Sequence, residues 1–524
     1  RTLGCCCIRG GSLTIELEQA GGNGADVVNV QGVDAAFDAN LTINGGTDDS
    51  VVFQTAATDI GSGTASITAG AGITFAATGS LTTTDNVTLD SGTGNITGNA
   101  SAAVDVTAVG LTMDGAGIDI DTSVSTINAS VTGTGTITID EADAVDLTDV
   151  DTNNGTITIT AGGDLTATDV NAGTDGDVSL TATAGNVLVN DVQAVGDAVT
   201  ITSDVGAIEE TAVDGTVDID GEDVTLSAAT GIGAAGTIEI DAFGTSTHGL
   251  TATVSGTGNI DVSDRTGTLR VLNATTNDGA ITINANAGNM TVETATAGGA
   301  NDLTLTTTGG TRDITIQDLD ATGNTVIVTA TGAIIDGGAG QEITATNAAL
   351  RAVTGIGSGN ALETTVSNLA FSNTTSGNVQ VTNTGGLTIA SVDGLATSSN
   401  VGAGTTTLTA SSPMTFAVDT SSGGDLTANA TEDAGALTTD DVTVNAGVTV
   451  ESTAGDVTFN AGDDIVLTDA TSIVQATAAD GDVTLNSGVG DNDDVGSQTL
   501  NGTIIANTTD GIVTINVNQE AGAT

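Results

Sequence analysis

A short phrase of alternating apolar and polar residues recurs through the middle of the chain, from Gly155 to Val328. Its first copy is Gly155-Thr156-Ile157-Thr158-Ile159, and later copies follow at intervals of about 18–22 residues. They begin at Gly176, Asp197, Gly215, Gly236, Gly258 and Gly279. Alternation of β-branched residues after a turn residue predicts a short strand with one buried face. A second strand usually follows before the next phrase, which leaves no room for a helix of typical length.

Short strands that repeat about every 21 residues predict the coils of a parallel β-helix. Within a phrase, Ile157 and Ile159 should point into the coil and Thr158 towards solvent. A narrow interior should admit Val, Ile, Leu and Ala more easily than rings, and the chain has 7 Phe but no Trp or Tyr. The 73 Gly residues should supply tight corners, because Gly takes positive φ without a steric cost.

We therefore predict one all-β solenoid of roughly 25 coils, although 524 residues would ordinarily suggest several domains. Changes in the spacing of the strands divide the chain into five segments. They are an irregular start at 1–20, a loosely repeated solenoid at 21–152, a regular core at 153–346, a loop or insertion at 347–376, and a less regular solenoid with an uncapped end at 377–524.

The chain is strongly acidic, with a formal net charge of −60 from 66 acidic and 6 basic residues. Such a charge repels nucleic acid and anionic membranes and attracts divalent cations. Because of this charge, we expect no nucleic-acid binding. No run of about 18 apolar residues occurs, so we expect no membrane insertion. The acidic residues indicate either a solvated surface or a surface loaded with calcium.

One stretch favours calcium specifically. Residues Gly21 to Asn29 fit the Gly-rich nonapeptide of calcium-binding β-rolls, and a degenerate relative runs from Gly45 to Phe53. In that motif carboxylate oxygens bind the hard cation. Asp26, Asp48 and Asp49 are the candidate calcium ligands; ordinary Gly-Asp turns are the alternative.

The three cysteines, Cys5, Cys6 and Cys7, are adjacent. Neighbouring cysteines cannot pair in ordinary disulfide geometry without strain, so the sequence predicts no disulfide framework. The cluster would cross-link chains, carry a lipid, or be an incidental end of the chain.

Parallel β-helices also include enzymes that cleave polysaccharides, and those sites need basic and aromatic residues around paired carboxylates. This chain has no Lys, Trp or Tyr, and its single histidine, His248, lies in a Gly-Ser-Thr-rich segment typical of a turn. We therefore predict no catalytic residues and no enzyme.

The phrases carry a further idiom, Gly-Asp-Leu-Thr followed by Gly-Asn-Val, at Gly163 to Ala167, Gly185 to Val187 and Gly424 to Thr427. This idiom resembles the repeats of filamentous-haemagglutinin-like and autotransporter-like giant surface proteins of bacteria. The resemblance implies a right-handed β-helix, export across the cell envelope, and a role as an adhesin, stalk or fibre.

These features together predict a non-enzymatic extracellular protein of the bacterial cell surface. An uncapped solenoid exposes a rung that recruits another strand, so we expect a homopolymer that stacks head to tail into a fibre. The alternative is the shaft of a large secreted adhesin, which would contact other surface proteins or glycans. A carbohydrate-active enzyme is the remote alternative.

The hypothesis that calcium binds in the turn around Asp26 leads to one testable prediction. Chelation should lower the melting temperature, because an ion that binds only the folded chain stabilises it. Scanning calorimetry with and without a chelator measures the difference, and an unchanged melting temperature would remove the site.

Overall fold

The structure, a computed structural model, describes residues 2–3, 9–17, 24–54, 57–243, 247–432, 439–490, 496–507 and 509–518. The cysteine cluster at residues 5–7, and with it the roles predicted for the cluster, lies outside these ranges. Two compact units divide the chain, Arg1–Ser263 and Asp264–Thr524. No helix occurs within the described ranges. These ranges therefore contain no helix that is long and apolar enough to cross a bilayer.

The strands that begin in the first unit are β1 Thr2–Leu3, β2 Arg9–Glu16, β3 Val27–Val30, β4 Asp38–Asn44, β5 Ser50–Phe53, β6 Ala57–Asp59, β7 Ala65–Thr68, β8 Gly72–Phe75, β9 Ser80–Thr82, β10 Val87–Asp90, β11 Asn95–Thr97, β12 Val106–Thr107, β13 Gly110–Gly115, β14 Gly117–Ser123, β15 Thr126–Val131, β16 Ile137–Glu141, β17 Val145–Thr152, β18 Ile157–Ala161, β19 Leu165–Ala167, β20 Val170–Asn171, β21 Val178–Ala182, β22 Val187–Val189, β23 Val192–Ser203, β24 Ala207–Glu210, β25 Ile219–Ala228, β26 Gly231–Ile232, β27 Ile238–Ala242, β28 Leu250–Thr257 and β29 Ile260–Asp264.

The strands of the second unit are β30 Leu269–Asp278, β31 Ile281–Ala285, β32 Met290–Val292, β33 Ala295–Ala297, β34 Leu303–Thr307, β35 Ile314–Ile316, β36 Leu319–Thr329, β37 Ile334–Asp336, β38 Ile343–Ala352, β39 Leu362–Thr365, β40 Asn368–Asn373, β41 Val379–Asn383, β42 Leu387–Ile389, β43 Ser398–Asn400, β44 Thr406–Ala410, β45 Met414–Phe416, β46 Thr420–Ser422, β47 Leu426–Ala430, β48 Val442–Val444, β49 Thr449–Ser452, β50 Val457–Ala461, β51 Ile465–Leu467, β52 Ile473–Ala476, β53 Val483–Ser487, β54 Gln498–Leu500, β55 Thr503–Ile505 and β56 Val513–Val517.

The strands pair in parallel with strands about one turn earlier or later in the chain. In the first unit β18 pairs with β21, and β21 with β23, so that Ile157, Val178 and Val199 lie above one another. In the second unit β31 pairs with β34 in the same way. Each unit is thus a β-solenoid, and the two together make about 20 turns of about 22 residues. This confirms the predicted all-β parallel architecture.

The alternation within the phrases assigns the faces as predicted. Ile157 and Ile159 are fully buried, whereas Thr158 between them is partly exposed. Ile281 and Ile283 in the second unit are likewise fully buried. The core of each unit is therefore a stack of inward apolar side chains in which each rung covers the next.

The glycine that opens many phrases is required by the close approach of neighbouring rungs. A Cβ atom on Gly155 would lie 1.9 Å from the carbonyl oxygen of Gly135, and one on Gly176 would lie 2.4 Å from that of Gly155. Glycine was expected at these corners because it can take positive φ. Neither Gly155 nor Gly176 has positive φ. Positive φ does occur at Gly215, where φ is 73°.

The interior accepts aromatic rings more readily than the sequence suggested. Phe53 and Phe75 lie opposite each other on β5 and β8, with ring centroids 4.8 Å apart and planes inclined by 7°. Phe416 and Phe459 also stack, at 5.6 Å. Phe53 and Phe75 stack because their strands pair in register at about the spacing of parallel strands. Phe416 and Phe459 lie on β45 and β50, which do not pair with each other, so their rings meet inside the coil from different strands.

Residues 347–376 contain most of β38 and all of β39 and β40, where the sequence favoured a loop or insertion. Alternation is lost here because the outer face is covered: Ala349 and Ala370 are fully buried and pack with Val392 from a later loop. A strand buried on both faces reads as a continuous apolar run rather than as an alternating one.

The turns are longer near the end of the second unit. Asn429, Asn460, Asn486 and Asn516 form an amide ladder along β47, β50, β53 and β56, and successive members are 31, 26 and 30 residues apart. Longer turns explain why the units make fewer turns than the roughly 25 predicted from a 21-residue interval.

Inward and outward positions should respond differently to charge. Ile281→Asp should lower the free energy of unfolding by at least about 3 kcal/mol, because it removes a buried side chain and buries an unpaired carboxylate. Thr282→Asp, on the outer face of the same strand, should change it by less than about 0.5 kcal/mol. Denaturant titration and limited proteolysis measure both, and equal effects would contradict the assigned faces.

Candidate carboxylate sites

The predicted calcium ligands near the start of the chain, Asp26, Asp48 and Asp49, are not among the groups of three close carboxylates found in the described residues. Asp49 is 2% exposed, and its two carboxylate oxygens accept hydrogen bonds from the backbone amides of Asp26, at 2.7 Å, and Gly46, at 2.8 Å. The Asp26 and Asp48 side chains are exposed. The Asp49 carboxylate thus links its own turn to the preceding rung through these two backbone amides. Calcium binding at Asp26, Asp48 and Asp49 stays a prediction.

His248 does more than occupy a turn. Its Nδ1 lies 2.6 Å from a carboxylate oxygen of Asp223, and its Nε2 lies 3.6 Å from one of Glu222. The hydrogen bond to Asp223 and the two negative charges raise the pKa of the imidazole. This pairing joins two successive turns of the first unit; sequence reasoning missed it because the partners are 25 and 26 residues away.

Three carboxyl groups converge in the first unit. Glu210, Asp218 and Glu239 place one oxygen each within 4.8 Å of one another. Asp218 accepts a hydrogen bond from the amide of Glu239 at 2.9 Å, while neither carboxylate oxygen of Glu210 has a hydrogen-bond partner. A Cβ atom on Gly236 would lie 2.0 Å from Glu210 Oε1, so this glycine makes the room for the carboxylate.

Burial changes the ionisation of this group. Asp218 is 4% exposed, and burial raises its pKa to about 7. The hydrogen bond from the amide of Glu239 acts in the opposite direction, and the negative charges of Glu210, Glu239 and Asp214 add to the rise. A carboxyl group that keeps its proton up to neutral pH limits repulsion in the group.

A second group of three lies in the second unit. Asp336 at the end of β37, Glu342 just before β38 and Glu363 on β39 also place oxygens within 4.8 Å of one another. Glu342 is fully buried, and burial raises the pKa of its carboxyl group well above the usual range. The nearby negative charges of Asp336 and Glu363 raise it further.

Sequence reasoning found neither group, because an acidic residue beside an inward Ile should face solvent. Glu239 lies between the buried Ile238 and Ile240, yet is only 8% exposed. Glu342 directly precedes the buried Ile343 and is itself buried. In both places the carboxyl group is buried beside carboxyl groups from other segments, and alternation within one strand does not predict such contacts between segments.

Comparisons of the chain with protein-family models, with curated proteins and with solved structures gave no match. The repeated β-solenoid is the part of the sequence resemblance that the structure confirms. Function is therefore inferred from the geometry and charge of the chain itself.

Asp218 generates a prediction about pH. Unfolded Asp releases its proton near pH 4, whereas folded Asp218 keeps it to about pH 7. Over that range the unfolded state binds fewer protons, so stability should fall as pH rises, and Asp218→Asn should make the fall shallower. Melting temperatures between pH 4 and 8 measure the slope. Asp469→Asn, at an exposed site with a lowered pKa, is the control, and a slope equal to wild type in Asp218→Asn would contradict the account.

Proposed function

We propose that this chain is a non-enzymatic, extracellular structural protein of the bacterial cell surface, whose β-solenoid forms a fibre by end-to-end stacking. The observation that carries the proposal is the stacking of apolar rungs within each unit, which repeats with the same parallel pairing from one turn to the next. The bacterial and extracellular setting is supported by the resemblance of the repeats to those of giant surface proteins.

The rung at β56 repeats the inward pattern of the rung below it. Val513 and Ile515 lie in register with Val483 and Leu485 of β53. The β53 side chains are fully buried, whereas Val513 is 42% exposed and Ile515 49% exposed. Among the described strands none pairs with the other edge of β56. A strand added at that edge, whether from this chain or from a second copy, would bury both side chains and continue the backbone ladder.

The charge of the chain favours this contact over others. A net charge of −60 makes the sides of two copies repel each other. Burial of the apolar side chains of a rung is favourable whatever the net charge of the chain is. Charge repulsion between two copies should therefore oppose association through a rung less than association through their acidic sides. A contact that joins one end to the other does not close and produces filaments.

The shaft of a large adhesin is the second candidate, and a feature of the first unit favours it. A surface groove of about 680 Å³ is lined by polar side chains, among them Asp151, Asn153, Asn154, Asn171 and Thr174. Carboxylate, amide and hydroxyl groups suit the hydroxyls of a glycan. On this alternative the solenoid displays such grooves without stacking.

Electron microscopy and sedimentation at increasing protein concentration test the proposal. Wild type should form fibres that lengthen with concentration. Ile515→Asp should raise the concentration needed for assembly more than about tenfold, because even about 1.4 kcal/mol lost at the contact has that effect. Thr514→Asp, which adds the same charge to the outer face of β56, is the control and should assemble like wild type.

Two results would overturn stacking through this rung. One is assembly of Ile515→Asp at the same concentration as Thr514→Asp. The other is single particles of fixed length at every concentration of wild type, which would favour the adhesin shaft.

A further inference from the structure

The carboxyl group of Glu342 is the starting point for a second property of the chain. Its side chain is fully buried, and its Oε2 accepts a hydrogen bond from the amide of Glu363 at 2.7 Å. Its Oε1 is buried and has no hydrogen-bond partner. Buried polar atoms are almost always satisfied, so an unsatisfied carboxylate oxygen indicates that something else binds there.

The carboxylate that carries this unsatisfied oxygen belongs to a set of three carboxylates from separate segments. Asp336, Glu342 and Glu363 each bring one carboxylate oxygen within 4.8 Å of the other two. Calcium binds oxygens at about 2.3–2.6 Å, so two ligands on opposite sides of the ion are at most about 4.6–5.2 Å apart. The three oxygens therefore fit the coordination sphere of one such ion.

The neighbouring contacts hold these ligands in place. Asp336 accepts hydrogen bonds from the amide of Gly338, at 2.9 Å, and from the side chain of Asn360. Those bonds leave lone pairs on both Asp336 oxygens, since a carboxylate oxygen accepts more than one contact. A ligand fixed by its own hydrogen bonds binds a metal with less loss of side-chain entropy.

The charged groups recorded around Glu342 are negative. The charged groups that act on Glu342 are Asp336 and Glu363, and the adjacent β36 segment carries Asp318 and Asp320. Three carboxylates that face one another repel unless a proton or a cation lies between them. A groove of about 470 Å³ beside Asp336 opens towards solvent and gives space for water ligands.

We propose that Asp336, Glu342 and Glu363 bind one divalent cation of the hard, oxygen-preferring class, with calcium the best match. The site joins the end of β37, the turn before β38 and β39, so an ion there would fasten two successive turns of the second unit. It is distinct from the predicted calcium ligands around Asp26. It also differs from the group at Asp218, because Glu210 is partly exposed and Glu239 has further interactions.

Isothermal titration of the full chain with calcium chloride tests this site, at an ionic strength of about 0.15 M that screens the acidic surface. Wild type should show a saturable binding event above the weak background. Glu342→Gln keeps the shape of the side chain and should bind at least about tenfold more weakly at this event. Glu363→Gln should weaken the same event.

Glu451→Gln is the matched control, because Glu451 lies in the same unit and its Oε2 accepts a hydrogen bond from Gln475 at 2.7 Å, outside the cluster. It should bind calcium like wild type. Circular dichroism establishes that each variant is folded, and Glu363→Gln supplies the test if Glu342→Gln is not. The proposal is overturned if the event is the same in Glu363→Gln and Glu451→Gln, or if folded wild type shows no saturable event.

Discussion

The parallel stacking of one rung on the next is the interaction on which each unit depends. A rung alone exposes both its inward side chains and its backbone edges, and both are satisfied only by the neighbouring rungs. Val178 illustrates this: it is buried between Ile157 below and Val199 above. The need for close stacking also explains Gly155, where any side chain would collide with the corner beneath it.

Stacking has an electrostatic consequence for an acidic chain. Residues that repeat in sequence are brought into columns about one strand spacing apart, so like charges lie above one another. Some carboxylates accept a backbone amide from the neighbouring turn, as Asp49 does from Asp26 of the preceding turn. Others, such as Asp218, lie beside further carboxyl groups and keep their protons to higher pH. The group around Glu342 is the place where this repulsion is best resolved by a cation.

The sequence was sufficient to predict the architecture and insufficient to predict the sites, for one physical reason. Alternation reports which side of a strand a residue lies on, and this placed Ile157, Thr158 and Ile281 correctly. It does not report what covers the outer side. Ala349 packs with Val392 from a later loop, and Glu342 is buried beside Asp336 and Glu363. Neither contact follows the repeat, so neither is visible as a pattern.

Hydrogen exchange of the full chain, followed by mass spectrometry, tests the central claim most directly. If strands pair with the turns before and after them, the amides of β18, β21, β31 and β34 should exchange orders of magnitude more slowly than those of the turns between them. Protection should follow the strand bounds within each unit. Fast and uniform exchange across strands and turns would contradict the stacked solenoid.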